Sequence, residues 1–175
     1  MNGRHALDRI AALRGIRPLV RVGIGGHGGA GKTTLARSIA DAVIVGTDEF
    51  WDGRGFDLDR LRREVLDPLA SGETARFASF DWQAQKPRGE RCVKPVGLVV
   101  VEGVCALHRM FRDDYDLRIW VEAPREIRLA RGVARDGEDA RATWESVWMP
   151  MEDRYVERDD PVAAADLVVD GTQPL

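Results

Sequence analysis

Apolar and polar positions along the 175-residue chain fall into two alternating patterns. Short apolar, largely β-branched runs recur at Leu19–Ile24, Val43–Val45, Gly97–Val101, Leu117–Val121 and Asp166–Val169. Runs of that length suit strands buried on both faces of a parallel sheet. Segments with helical spacing lie between them. Met1 to Arg17 reads as a short amphipathic helix with Leu7, Ile10, Ala11 and Arg14 along one side, and Lys32 to Ala42 carries Leu35, Ile39 and Ala42. Asp57 to Leu69 sets Leu58, Leu61, Val65 and Leu69 on one face and closes at Ser71-Gly72. Pro124 to Val133 opens a helix with proline near its first turn. After the polar stretch Arg135–Ala142, a last helix carries Trp144, Val147, Trp148 and Met151 as its buried stripe.

Residues 73–95 mix Pro, Gly, Lys, Arg and aromatics with no clear period. They read as a long loop with room for a hairpin, and a loop of that length in a compact domain is usually functional or disordered. The alternation of strands and helices predicts an α/β fold with a mainly parallel sheet, formed by residues 1–175 as a single domain. Ligands in such sheets bind at the carboxyl ends of the strands.

Composition narrows the function classes. A net charge of −3 argues against a nucleic-acid binder, which carries a basic excess. No apolar run is long enough to span a membrane, and the N-terminus lacks the apolar centre of a signal peptide, so the expected location is the cytoplasm. Cys92 and Cys105 make neither a disulfide framework nor a metal-ligand spacing. Self-association into a homodimer is an expectation that the sequence permits without requiring.

The strongest chemical signal is Gly26-His27-Gly28-Gly29-Ala30-Gly31-Lys32-Thr33, a complete G-x-x-x-x-G-K-[ST] pattern. Successive backbone N–H groups must curl around an anion, and residues without Cβ allow the dihedrals and the close approach. The following helix turns its unsatisfied N–H groups and positive dipole end toward the phosphates. Lys32 supplies a mobile charge for the β- and γ-phosphates, Thr33 offers a hydroxyl to Mg²⁺, and Thr34 extends the nucleotide-binding stretch. His27 reads as a solvent-facing filler, because the loop works through its backbone. Residues 19–45 thus form one unit of strand, phosphate loop and first helix.

Two carboxylates point from nucleotide binding to kinase chemistry. Asp48 lies just past the second strand, where it can accept the proton of an incoming hydroxyl or hold a metal water. The alternative for Asp48 is a helix cap or turn residue. Glu102 follows four hydrophobic residues, Leu98 to Val101, in the form of a Walker B acid that organises Mg²⁺ with the loop threonine. An Asn-Lys-x-Asp guanine-reading motif is absent.

In order along the chain, the phosphate loop is followed by Asp48-Glu49-Phe50-Trp51, Gly55-Phe56-Asp57, Phe80-Asp81-Trp82 and Val101-Glu102-Gly103. An arginine-rich helix and Ala165-Asp166-Leu167-Val168-Val169 complete the set, which resembles the uridine kinase-like branch of P-loop kinases, including nicotinamide riboside kinases. The resemblance implies a five-stranded, mainly parallel sheet flanked by helices, with a lid. It implies ATP and Mg²⁺ as cofactors, Asp48 as the base, and Mg²⁺ near Thr33, Glu102 and Asp48. It sets Asp57 where the family binds a ribose hydroxyl, and Phe80 where uridine kinases carry a base-contacting tyrosine. Residues 73–95 become the acceptor-side loop and 124–145 the arginine helix and lid.

Arg128, Arg131 and Arg135 stand three and four apart, which aims three guanidinium groups from one helix face at transition-state charge. A solvated basic face balanced by Glu122, Glu126, Asp136 and Glu138 is the alternative, and Arg141 is a further arginine within reach of the site. Trp51 and Trp82 are candidates to stack on a flat acceptor, or to anchor the core. The segment between Asp48 and Asp57 is shorter than in typical uridine kinases, and no His-containing strand follows Trp82. The expected activity is transfer of the γ-phosphate of MgATP to a hydroxyl of a small molecule, first among them a nucleoside. A kinase for a sugar, vitamin precursor or antibiotic is the enzymatic alternative, and a nucleotide-dependent sensor the non-catalytic one.

Overall fold

The computed structural model describes residues 2–81 and 86–174. All five apolar runs become strands of one parallel sheet: β1 (Leu19–Gly26), β2 (Ala42–Gly46), β5 (Gly97–Glu102), β6 (Leu117–Glu122) and β7 (Leu167–Asp170). They lie in the order β2-β5-β1-β6-β7. The central strand β1 therefore pairs with β5 through Leu19↔Gly97 to Ile24↔Glu102 and with β6 through Val22↔Leu117 to Gly26↔Val121. A strand covered on both faces buries nearly every side chain, which is why the inner strands β1, β5 and β6 carry continuous buried runs, whereas the edge strands β2 and β7 keep half-buried or exposed positions.

Helix α1 (Gly3–Arg14) and helix α2 (Lys32–Ser38) cover one face, where Ala6, Ile10, Leu35 and Ala36 pack on Val22, Ile24, Val100 and Ile119. The buried side of α1 is Gly3, Ala6 and Ile10 with Leu7 and Leu13 half-buried, whereas Ala11 and Arg14 face solvent. Helix α2 is shorter than its apolar spacing predicts. Ile39 is already extended (φ −83°, ψ 110°) and Asp41 has φ 60°, so the chain turns directly into β2 at Ala42.

On the other face, Trp120, Val99 and Val101 pack with Phe50, Leu61, Leu66, Phe77, Leu107 and Phe111. That face leaves no space above β1. A Cβ at Gly23 would lie 2.7 Å from the Tyr115 ring, and one at Gly25 would lie 2.8 Å from Leu107.

The helix over residues 58–70 runs from α3 (Leu58–Leu61) through a π-helical turn (Arg62–Leu66) into α4 (Asp67–Ala70). Helix α5 (Arg125–Asp136) follows β6. Beyond it, α6 (Arg141–Thr143) passes through a second π-turn (Trp144–Trp148) into α7 (Met149–Asp159). Both π-turns precede a proline, Pro68 and Pro150. Proline lacks the N–H and its ring crowds the carbonyl four residues back, so the ladder shifts register there. The residue before each proline accordingly bonds five residues back, Asp67 to Arg62 and Met149 to Trp144.

The second π-turn corrects the stripe expected on the last helix. Trp144 is buried, but Val147 is 50% and Met151 44% exposed, and Met149 takes the inward position. One added residue in a turn rotates every later side chain off the 3.6-residue spacing.

Residues 73–95 are also corrected, from long loop to hairpin. Strands β3 (Ala75–Asp81) and β4 (Lys86–Val93) pair antiparallel, with a register shift between Ala78 and Phe80. Ala75, Phe77 and Val93 point into the core, an alternation hidden by the exposed Arg76 and the half-buried Arg91. Trp82 lies outside the described residues. Among the described residues no helix is long and apolar enough to cross a membrane.

Candidate active site

The turn between β1 and α2 is built around its glycines. Gly29 and Gly31 have φ of 74° and 110°, in the region open to residues without Cβ. Packing adds a second demand, since a Cβ on Gly29 would stand 2.4 Å from the carbonyl oxygen of Arg128 on α5. Lys32 opens α2 and is only 8% exposed, with Nζ donating to the carbonyl of His27 at 2.8 Å. Burial pulls its pKa below the ordinary lysine value, while Glu102 and Glu152 hold it up.

His27 is not the solvent-facing filler the loop pattern suggests. Its ring sits edge-on to Trp120, centroids 5.4 Å apart, and Nε2 lies 3.5 Å from Asp153 Oδ1. Burial and the nearby Arg128 bring its pKa down to about 4, so the imidazole is neutral near pH 7.

Sheet order assembles the polar strand ends. Because β5 lies between β1 and β2, Glu102 sits in register with Ile24 on one side and Gly46 on the other. Thr33 Oγ1 donates to Glu102 Oε1 at 2.9 Å. Asp48 follows Gly46 in a short 3-10 turn, Thr47–Phe50. Burial raises the Glu102 carboxyl against the pull of Lys32, and burial plus neighbouring Glu49 raises Asp48. Asp48 keeps an open face to solvent, yet it acts electrostatically on both Lys32 and Glu102, so the three charges share one field.

Arg128, Arg131 and Arg135 of α5 divide their work. Arg135 is stacked over the Trp144 ring at 5.7 Å, paired with Asp136, and lines a cavity of about 710 Å³ with Thr33, Thr34, Arg37 and Ser38. Arg131 donates to the carbonyls of Gly29 (3.2 Å), Ala30 (3.4 Å) and Gly171 (3.0 Å), tying the loop to the segment after β7. Arg128 is 7% exposed and stands 4.0 Å from Glu152. Arg141 pairs with Glu138 and Glu145 at the surface.

A second cavity, of about 460 Å³, is lined by Glu49, Ser79, Phe80, Arg88 and Arg91. Arg91 pairs with Glu49 and donates to the Ile44 carbonyl at 2.9 Å, while Glu49 accepts the Gly46 N–H at 2.9 Å. The hairpin is thereby latched to the end of β2, two residues from Asp48. Asp57 caps α3, accepting the Arg60 N–H at 2.8 Å. Trp51 packs edge-on to Phe56, centroids 5.5 Å apart, and bridges to it through the backbone. Sequence reasoning missed Glu49, Ser79, Arg91 and Glu152, because each reads as an ordinary polar residue until the hairpin and the last helix are folded over the strand ends.

The model of the Phosphoribulokinase / Uridine kinase family matches residues 45–171, which is most of the chain. The chain belongs to that family. Among the family's relatives, a uridine kinase of Halobacterium salinarum is 28% identical, the match covering 80% of this chain and 76% of the relative. Two solved structures share the fold. A protein described as a possible uridine kinase from Bacillus stearothermophilus superposes with a TM-score of 0.67 at 18% identity, over 95% of this chain and all of the other. A kinase named for fructose transport, from Silicibacter sp. TM1040, gives a TM-score of 0.68 at 20% identity, over 96% and 98% of the two chains.

Proposed function

We propose that the protein is an ATP-dependent kinase that transfers the γ-phosphoryl group of MgATP to a hydroxyl of a nucleoside. The observation that carries this reading is the bond from Thr33 to Glu102 beside Asp48, at the carboxyl ends of three adjacent strands. Membership of the family and the likeness to a uridine kinase support the nucleoside as acceptor.

The Thr33 hydroxyl and the Glu102 carboxylate form a hard oxygen donor pair, which fits Mg²⁺. When bound, Mg²⁺ supplies charge neutralisation on the phosphates, with Thr33, Glu102 and Asp48 as its protein-side holders.

Each side chain then has a role. The backbone of Gly26 to Thr34 cradles the phosphates, and Lys32 contributes its ammonium from a buried position where the charge is little screened. Asp48 takes the proton of the acceptor hydroxyl as its oxygen bonds to the γ-phosphorus and the bond to the β–γ bridging oxygen breaks, releasing ADP. Arg135 faces the phosphates, and Arg131 acts by holding the loop carbonyls. Phe80, Trp51 and Asp57 flank the acceptor, with Arg128 behind the loop. Closure of residues 124–145 as a lid excludes water. The protein is proposed to work as one domain in the cytoplasm.

Release of ADP from MgATP is the test, run against nucleosides, nicotinamide riboside, sugars and pantothenate-like alcohols. Turnover that depends on a nucleoside supports the reading. Turnover only with a non-nucleoside hydroxyl replaces the acceptor, and ATP binding without turnover on any of them overturns the kinase assignment.

A further inference from the structure

One buried carboxylate has no part in the reaction as proposed. Glu152 lies on α7 with 6% of its surface exposed, and its Oε2 accepts the backbone N–H of Gly28 at 3.0 Å. The contact is close on all sides. A Cβ on Gly28 would stand 2.7 Å from Glu152 Oε1 and 2.7 Å from the Trp144 ring, so the third residue of the phosphate loop has room only for glycine.

The same peptide unit is held from its other end. The Gly28 N–H and the His27 carbonyl belong to one peptide group, and that carbonyl accepts Lys32 Nζ at 2.8 Å. A trans peptide is planar, with its N–H and C=O pointing in opposite directions. Whatever fixes the N–H therefore fixes the direction of the carbonyl. Glu152 and Lys32 grip the two ends of one rigid plate, a carboxylate on the donor end and an ammonium on the acceptor end.

The surroundings favour this clamp. Lys32, Arg128 and Arg135 bear electrostatically on Glu152 or are acted on by it, with Asp153 as the acidic neighbour. Arg128 is 7% exposed, and its Nε and Nη1 have no hydrogen-bond partner among the described residues, so its charge is balanced chiefly through space by Glu152 at 4.0 Å.

We propose that Glu152 is a positioning residue for the phosphate loop: by holding the N–H of the His27–Gly28 peptide it orients the carbonyl that anchors Lys32, and so sets where the lysine ammonium meets the nucleotide phosphates. This rests on the kinase reading, and the effect is transmitted through Lys32 alone.

Equilibrium binding of MgATP by calorimetry tests it without any acceptor. Four proteins suffice: the wild type, Glu152→Met, Lys32→Ala and the double variant, with thermal melts to verify folding. Methionine keeps the volume of the side chain and removes the acceptor. The expected result is binding weakened about tenfold by Glu152→Met in the presence of Lys32, and less than about twofold in the Lys32→Ala background. Glu152→Gln, which keeps an acceptor oxygen for Gly28, restores binding to near the wild-type value.

Equal losses in both backgrounds, or no loss from Glu152→Met, overturn the inference while leaving the kinase reading intact. If Glu152→Met does not fold, Glu152→Gln decides: binding near wild type supports the clamp, and a tenfold loss despite the retained oxygen overturns it. A wild type that binds no MgATP overturns the kinase reading and the inference with it.

Discussion

The hydroxyl of Thr33, in the first turn of α2, reaches the carboxylate of Glu102, at the end of β5, across 2.9 Å. The two residues are far apart in sequence and meet only because β5 lies directly beside β1. A half-buried acid whose hydrogen bond goes to a neutral hydroxyl, with Lys32 acting on it through space, is a poor stabilising device, since burial raises its proton affinity. Its use lies in what it holds. Glu102→Gln is expected to lower kcat by about 10²-fold, the scale of losing one group that stabilises transition-state charge. Raising Mg²⁺ should recover part of the loss, and steady-state assays across a Mg²⁺ titration check this.

Asp48→Asn keeps the shape of the side chain and removes its ability to take a proton. Turnover should fall by about 10²- to 10⁴-fold, the range for a positioned general base. Nucleotide binding should remain, because Asp48 follows β2 whereas the loop backbone and Lys32 follow β1. Calorimetry for binding and ADP release for turnover separate the two. Full turnover in Asp48→Asn would remove the residue from the mechanism.

His27 gives a pH prediction with a definite sign. Its ordinary pKa near 6.5 is lowered to about 4 by burial and by Arg128, against the opposing pull of Asp153. The unfolded chain therefore binds a proton at a pH where the folded chain does not. The stability contributed is fully present above pH 6.5 and is lost as pH falls through that window to about 4. Denaturant unfolding of wild type and His27→Gln at pH 7.5 and pH 5, without nucleotide, should show the variant losing less on acidification. Parallel slopes would count against a neutral buried imidazole.

Phe80 lines the second cavity with Ser79, Arg88, Arg91 and Glu49. Truncating Phe80→Ala should raise KM for a nucleoside about tenfold, the scale of one base–aromatic contact. KM for ATP should stay unchanged, since the cavity next to the phosphate loop is lined by other residues. A rise in both constants would mean that the ring supports the fold rather than the acceptor.

The sheet and the phosphate loop were legible because each is written in contiguous residues: five apolar runs, and one eight-residue motif whose composition follows from its backbone. The strand-end acids were legible for the same reason, Glu102 as the last residue of β5 and Asp48 two residues past β2. What escaped was set by tertiary contact. The phase of the last helix depends on Pro150, whose missing N–H acts on residues before it. The hairpin hides its alternation behind Arg76, which reaches Glu90 on the paired strand, and Arg91, which reaches Glu49 in the turn after β2. Glu152 sits among Met151, Asp153 and Arg154 and reads as surface charge, and only the packing of α7 against the loop turns it inward.

The place of β5 between β1 and β2 bears on how the chain reaches its folded state. As the polypeptide emerges, the strand carrying the phosphate loop and the strand leading to Asp48 come first, but they are not neighbours. Neither can complete its ladder until residues 97–102 arrive to be inserted between them, with Leu19 waiting for Gly97. Such long-range pairing slows folding, because a large loop must close before any contact rewards it. The two acids and the lysine therefore come together only when β5 enters between β1 and β2. A nascent or partly unfolded chain thus keeps Lys32 apart from both Asp48 and Glu102 until that strand is in place.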